Sequence, residues 1–390
     1  MGVGTRIYLD HNATAPLRPG AAEAMARAAA LVGNPSSVHA EGRAARAAVE
    51  RAREEVAALL GVAPKLVIFT SGGTEANNAV LSPSLRRRAQ AGPVRALLAG
   101  AAEHPSVLDG HRFPAEAVER MPVDRNGIVD LAWLEQRLAG LAGPALVSVQ
   151  AANNETGVVQ PVAEAARLVH ARGGILHCDA VQAAGKVPVI LEALSADVAT
   201  LSAHKLGGPK GVGAIVFASD EIELGGRLVR GGGQERGYRA GTENVAGIVG
   251  FGAAAKAAAS ELERQAERLR GLRDACEAEL CRIAPTTVVF GAAVERLPNT
   301  LAFAIPGVSA ETALIRFDLA GLAVSSGSAC SSGKVKRSHV MEAMGVAPAL
   351  AAGAIRVSLG WSSTEEDVRR FVEACQTLAA TPYKPRADAA

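Results

Sequence analysis

Leu66-Val67-Ile68-Phe69-Thr70-Ser71-Gly72-Gly73-Thr74-Glu75 is the passage on which the fold turns. An apolar run ending in Thr70 predicts a buried strand, the two glycines a tight turn, and Thr74-Glu75 the first turn of a helix. The same rhythm recurs at 94–99, 145–150, 175–179, 198–202 and 214–218. Upstream, Ser37 is positioned to cap a helix running through Val49, Val56 and Leu60, with Gly61 at its end. Another helix opens at Pro161 and closes near Gly173. Strands alternating with helices predict an α/β architecture around a mostly parallel sheet covered on both faces.

The texture changes after Thr242. Residues 243–280 form a long Ala/Glu/Arg-rich helical stretch, with Gly271 as the expected place for a break. Strands are expected at 287–290, 300–305 and 355–359, and helices at 310–319 and 365–378. This is a second, smaller α/β unit. The domains are therefore drawn as 13–255, large, and 1–12 with 256–390, small.

Composition bounds the function. With 390 residues, 49% hydrophobic and 21% charged, the chain has the profile of a globular protein. Its 41 Lys+Arg against 39 Asp+Glu leave +2, and aromatics are 3%, so neither a basic stripe nor a stacking platform for nucleic acid is expected. No apolar run reaches the roughly 18 residues of a membrane span, and no signal peptide is expected at the start. The five cysteines form no CxxC pair, which argues against disulfide frameworks and zinc ribbons and for a reducing, cytoplasmic setting.

In an open parallel sheet, ligands bind beyond the carboxyl ends of the strands. Polar residues gather there in strand after strand: Thr70 to Glu75, Glu103-His104, Asn153-Asn154-Glu155, Asp179 to Gln182, and Ser202-Ala203-His204-Lys205. The Gly72-Gly73-Thr74-Glu75 turn suits an anion, although by itself it reads more readily as a tight βα turn capped by Thr74. It is neither a Rossmann fingerprint nor a P-loop; the nearest P-loop match, from Gly327 to Lys334, has wrong spacing and ends on Val335. Lys205 at a strand end is placed to form a Schiff base, and Asp179 ends an apolar strand where a carboxylate needs a partner. A Schiff-base lysine, a carboxylate for a ring nitrogen and a phosphate cup are together what pyridoxal phosphate requires. Cys178, Cys276, Cys281 and Cys375 fall in apolar or amphipathic patterns and read as packing. Cys330 differs. It lies in Ser325-Ser326-Gly327-Ser328-Ala329-Cys330-Ser331-Ser332-Gly333, followed by Lys334, Lys336, Arg337 and His339, and nearby positive charge favours a thiolate.

These motifs resemble the cysteine desulfurases of the class V aminotransferase family, in the iron–sulfur-assembly branch with the longer cysteine loop. The resemblance runs from Tyr8-Leu9-Asp10-His11-Asn12-Ala13-Thr14 through Thr70 to Asn77, Asn153 to Gly157, His177 to Gln182, Ser202 to Gly211, Gly231 to Thr242 and Ser325 to Cys330, to Ile355-Arg356-Val357-Ser358-Leu359-Gly360. It implies the aminotransferase fold of type I and pyridoxal 5'-phosphate carried on Lys205. It further implies His104 stacking on the ring, Asp179 at the ring nitrogen, and Gln182 and Asn154 near the phenolic oxygen. Gly73, Thr74, Ser202 and His204 would hold the phosphate, joined by Thr242 from the second subunit of a homodimer. Arg356, with Asn154, would bind the substrate carboxylate. L-Cysteine would become L-alanine, with Lys205 and His104 moving protons and a persulfide left on Cys330 for a sulfur-accepting scaffold protein. No resident metal is implied, although Cys330 could touch a cluster during transfer. The chain departs from the family pattern at His11, Ala15 and Val335-Lys336-Arg337, which leaves the sulfur acceptor open. The competing expectations are a selenocysteine lyase, a plain class V aminotransferase, and a non-catalytic cofactor carrier.

Overall fold

Seven strands form the central sheet of the computed structural model, which describes residues 6–88, 93–326 and 337–379. Their order across the sheet is Val67–Thr70, Gly213–Phe217, Val198–Ser202, Ile175–Asp179, Ala145–Gln150, Ala96–Gly100 and Val118–Met121. Only Gly213–Phe217 runs against its neighbours; the other adjacent pairs are parallel. Six carboxyl ends therefore share one edge. Both faces are covered, so the inner strands read as near-continuous apolar runs.

A four-stranded antiparallel sheet joins Val288–Val289, Thr300–Ala304, Ile355–Ser358 and Ser325–Ser326. The N-terminal segment is tied to this unit: Ile7–Tyr8 pairs with Leu322–Ala323, and Asp10 bridges to Ser358. The large sheet and this smaller antiparallel sheet, each with its helices, make the α/β aminotransferase architecture expected from the sequence.

The helix after Thr242 is continuous. Val245–Ile283 runs through Gly271, where the sequence suggested a break. A glycine inside a helix costs only about 1 kcal/mol, and 39 residues packed on two cores absorb it. Ile248, Phe251, Ala254 and Ala258 enter the core of the large sheet, whereas Leu269, Leu272, Cys276 and Leu280 enter that of the small one. The chain thus passes between cores inside a helix, and the division at 255 stands as a proposal. By length and composition this is the one helix among the described residues that could cross a bilayer. Its buried apolar residues lie in the two cores. Close packing explains Gly250 and Gly252 but not Gly271, which has open space: a Cβ on Gly252 would sit 2.6 Å from Ala52 Cα.

The helix expected from Ser37 begins later, at Ala40, and its cap is His39, whose Nδ1 accepts from Gly42 N at 3.3 Å. Ser37 instead closes a turn with Asn34. Gly61 ends the helix in the left-handed region, as the sequence suggested.

Candidate active site

The shared carboxyl edge opens into a cleft of about 800 Å³. Gly73, Thr74, His104, Asn154, Asp179, Gln182, Ser202, His204, Lys205 and Arg356 all line it, so residues separated by up to most of the chain meet in one place. Two members of the expected set are not in that wall. Thr242 is exposed and lies away from the cleft of its own chain. Cys330 lies outside the described residues.

The floor is built around Asp179, which ends a central strand and is buried. Asn77 Nδ2 donates to its Oδ2 at 2.8 Å and Val181 N to its Oδ1 at 3.0 Å. Asn77 belongs to the helix Gly73–Val80, which starts directly after the strand Val67–Thr70. That helix opens on Gly72 with no side-chain cap, so its first N–H groups face the cleft unclaimed by a capping oxygen. A Cβ on Gly73 would lie 2.9 Å from Val181 Cγ2 and 3.3 Å from Ser202 Cβ. Only glycine lets the backbone come this close, which fits a cradle for an anion.

Lys205 follows the strand Val198–Ser202 in a short 3₁₀ turn. Its Nζ donates to the carbonyls of Asn12 at 2.5 Å and Ala13 at 2.9 Å. These two carbonyls hold the amine at the cleft.

The two cleft histidines are neutral imidazoles. Burial lowers the pKa of His104, with Lys205 and His339 adding repulsion against the attraction of Asp179. Its Nδ1 accepts from Ser106 N at 3.1 Å, so the hydrogen sits on Nε2. His204 is pushed down to about 4 by burial, then by Lys205, Lys210 and Lys186. Its Nδ1 lies 3.2 Å from Thr14 Oγ1.

Arg356 comes from the small sheet, and its guanidinium reaches back to the cleft. Nη1 donates to Asn154 O at 2.9 Å and Nη2 to Asp10 Oδ1 at 2.7 Å. Its Nε is buried with no partner among the described residues. An orphaned donor on a buried guanidinium is costly, and a ligand carboxylate would satisfy it bidentately. Asp10 also accepts from Ser325 Oγ at 2.7 Å, linking the arginine to the residue that opens the cysteine-bearing segment. On the far flank of that segment, Ser338 Oγ donates to Glu155 Oε2 at 2.5 Å, and His339 Nε2 lies 2.8 Å from Glu103 O.

Sequence reasoning did not assign roles to Asp10, Asn12, Asn77 or Lys186. Lys186 Nζ donates to Gln182 Oε1 and Asn12 Oδ1, and burial pushes its pKa well below the ordinary lysine value. Asp10, Asn12 and Asn77 all lie inside the quoted motifs, but nothing in the motifs says what they touch.

The uncapped helix start beside the Gly73 cradle suits a phosphate, Asp179 a protonated ring nitrogen, and Lys205 an aldehyde carbon. Such a cleft, at this edge of such a sheet, is the mark of pyridoxal-phosphate enzymes with the aminotransferase fold. Comparison with known proteins narrows the class. The chain belongs to the Aminotransferase class-V family, whose profile matches residues 7–371. It is 39% identical over 390 residues to the cysteine desulfurase IscS of Dictyoglomus turgidum, covering 97% of both chains. It is 44% identical to a cysteine desulfurase of a Frankia species, covering 93% of this chain and 88% of that one. Among solved structures, a NifS-like protein from Rickettsia africae superposes with a TM-score of 0.86 at 34% identity, covering 96% of this chain and 99% of the other.

Proposed function

We propose that this chain is a pyridoxal-phosphate-dependent cysteine desulfurase that converts L-cysteine to L-alanine and leaves a persulfide on Cys330. The relatives supply the activity class; the observation that carries it here is the meeting of Lys205, Asp179 and Arg356, whose buried Nε lacks a partner among the described residues, in one cleft. When bound, pyridoxal phosphate supplies an electron sink that makes an amino acid's Cα–H bond acidic.

The chain's own residues do the rest. Lys205 holds the cofactor and takes the Cα proton. Asp179, its two oxygens oriented by Asn77 and Val181, is a carboxyl partner for a ring nitrogen. Gln182 and Asn154 orient the ring edge, while Gly73, Thr74, Ser202 and His204 receive the phosphate. Arg356 fixes the substrate carboxylate and so aligns Cα with Lys205. His104, neutral with its hydrogen on Nε2, is suited to pass the substrate's thiol proton. The Cys330 thiolate attacks the substrate sulfur: an S–S bond forms, the Cβ–S bond breaks, and its electron pair stays with the carbon, which takes up a proton to become alanine's methyl group.

The active form we propose is a homodimer. Thr242, exposed and away from its own cleft, would complete the phosphate site of the partner. The segment that carries it is anchored by Glu235, which accepts from Arg53 at 2.8 Å and from Phe69 N at 2.8 Å. The persulfide sulfur goes on to a scaffold protein for iron–sulfur assembly. The cysteines among the described residues are unpaired, which suits the reducing cytoplasm.

The test is incubation with L-cysteine and reductant, followed by alanine assay and persulfide mapping by mass spectrometry after one turnover. Wild type should release alanine and carry the extra sulfur on Cys330. Cys330→Ser and Lys205→Ala should release essentially none. Extra sulfur on Cys178, Cys276, Cys281 or Cys375 would overturn the choice of nucleophile.

A further inference from the structure

Lys186 lies one turn beyond Gln182, and its Nζ donates to Gln182 Oε1 at 2.9 Å and to Asn12 Oδ1 at 3.0 Å. Gln182 Nε2 in turn donates to the carbonyl of Asn12 at 3.0 Å. Asn12 is fixed independently: its Nδ2 donates to Thr300 Oγ1 at 2.9 Å, and Asn299 Nδ2 donates to its Oδ1 at 3.1 Å. The carbonyl that takes the Gln182 amide is the one that takes Lys205 Nζ.

A glutamine amide is nearly symmetric in shape, so its partners alone decide which end is oxygen. Flipping Gln182 would set its NH2 against the N–H bonds of Lys186 and its oxygen against the carbonyl of Asn12. The contact with the carbonyl would turn repulsive, and the bond that Lys186 donates to the amide oxygen would be lost. No carboxylate touches Lys186 in the contacts described, and Lys205 and Arg356 act on it electrostatically, as it acts on His11. A lysine held among like charges, without a counter-ion, calls for a role that needs its donors.

We propose that Lys186 is a positioning residue that locks the Gln182 amide with its NH2 toward the cleft, making Gln182 a dedicated hydrogen-bond donor to the cofactor's phenolic oxygen. The inference rests on the pyridoxal-phosphate reading above. A fixed donor at that oxygen stabilises its anionic form, so losing the lock raises the pH at which the bound cofactor's visible band titrates.

The experiment is a pH titration of that band in the purified holoenzyme, with cofactor affinity measured by reconstitution. Lys186→Met should raise the midpoint by about one to two pH units, the worth of one hydrogen bond to a charged acceptor. Gln182→Leu should shift it in the same direction. If Lys186 acts through Gln182, the double variant should match Gln182→Leu alone instead of summing the two shifts. Lys186→Leu, equally without a donor, serves where the Met variant does not yield folded protein. An unchanged midpoint, or additive shifts, would overturn the positioning role while leaving the cofactor reading intact. Wild type that takes up pyridoxal phosphate with no titrating band at Lys205 would overturn both.

Discussion

On the proposed reading, in which Arg356 binds the substrate carboxylate, replacing it by lysine isolates what guanidinium geometry contributes. In the structure Nη1 is held by Asn154 O and Nη2 by Asp10 Oδ1, leaving Nε–H and one N–H on each Nη. A substrate carboxylate can take two parallel bonds from that fork. A lysine ammonium is a single point charge on a flexible stem and cannot reproduce the pair. The loss is one charge-assisted hydrogen bond, about 1.5–3 kcal/mol, or about 10- to 150-fold in kcat/KM. Because the carboxylate is bound before and during the reaction, most of the effect should fall on KM. Lysine retains a positive charge facing Asp10, so the melting temperature should change little. The assay is alanine release against L-cysteine concentration, with cysteamine as a competitor lacking the carboxylate. Cysteamine should inhibit wild type and Arg356→Lys alike. A change in kcat/KM of less than twofold would refute the reasoning, as would a loss of cysteamine inhibition equal to the loss for cysteine.

Two further outcomes follow from buried charges. Glu155, 3% exposed, is raised from 4.5 to about 7, chiefly by burial, with Ser338 and Arg356 opposing. The folded state therefore holds a proton that the unfolded chain gives up near pH 4.5, so stability is fully present below that pH and falls as pH rises toward 7. At about 1.4 kcal/mol per pH unit the loss is about 3 kcal/mol, and urea denaturation at pH 5 and pH 8 should show a gap that shrinks in Glu155→Gln. Glu235→Ala removes the only carboxylate that meets the Arg53 guanidinium at both Nη1 and Nη2 in the described contacts. Glu50, 3.1 Å from Nε, still meets the guanidinium, so the cost in urea unfolding should fall below the about 3–5 kcal/mol of a buried charge left alone.

The fold was legible where elements are long or regular. The alternating strands and helices between residues 66 and 218 announce themselves, because each inner strand is buried on both faces and each turn carries glycine or a polar cluster. Short stretches that offer no more than two apolar residues carry too little pattern to be read. The edge strand Val118–Met121, the pair Leu85–Arg87 with Ile222–Leu224, and Ser325–Ser326 therefore went unforeseen. The His39 cap was missed for another reason: Ser37 is the better capping residue locally, but a turn to Asn34 uses its backbone first.

The polar layer beneath the cleft shows a signal that was present in the sequence and unused. Three adjacent strands each carry two polar residues at alternate positions near their carboxyl ends: Ser148 and Gln150, His177 and Asp179, Thr200 and Ser202. Period two puts each pair on one face, and the registers set Ser148 beside His177 and Asp179 beside Thr200. The hydrogen bonds then run one way. Thr200 Oγ1 donates to Asn77 Oδ1 at 2.6 Å, so it accepts from His177 Nε2 at 3.1 Å, and His177 Nδ1 accepts from Ser148 Oγ at 2.9 Å. Asn77, its oxygen taken by Thr200, can turn only its NH2 toward Asp179. A histidine that is fully buried and held down to about 4 by burial is neutral, as this direction requires. The partner that keeps Asp179 an acceptor is thus set by a chain of donors that begins on another strand. Alternating polar residues in otherwise apolar, doubly covered strands are the pattern that points to such a chain, because nothing else in those positions would tolerate burial.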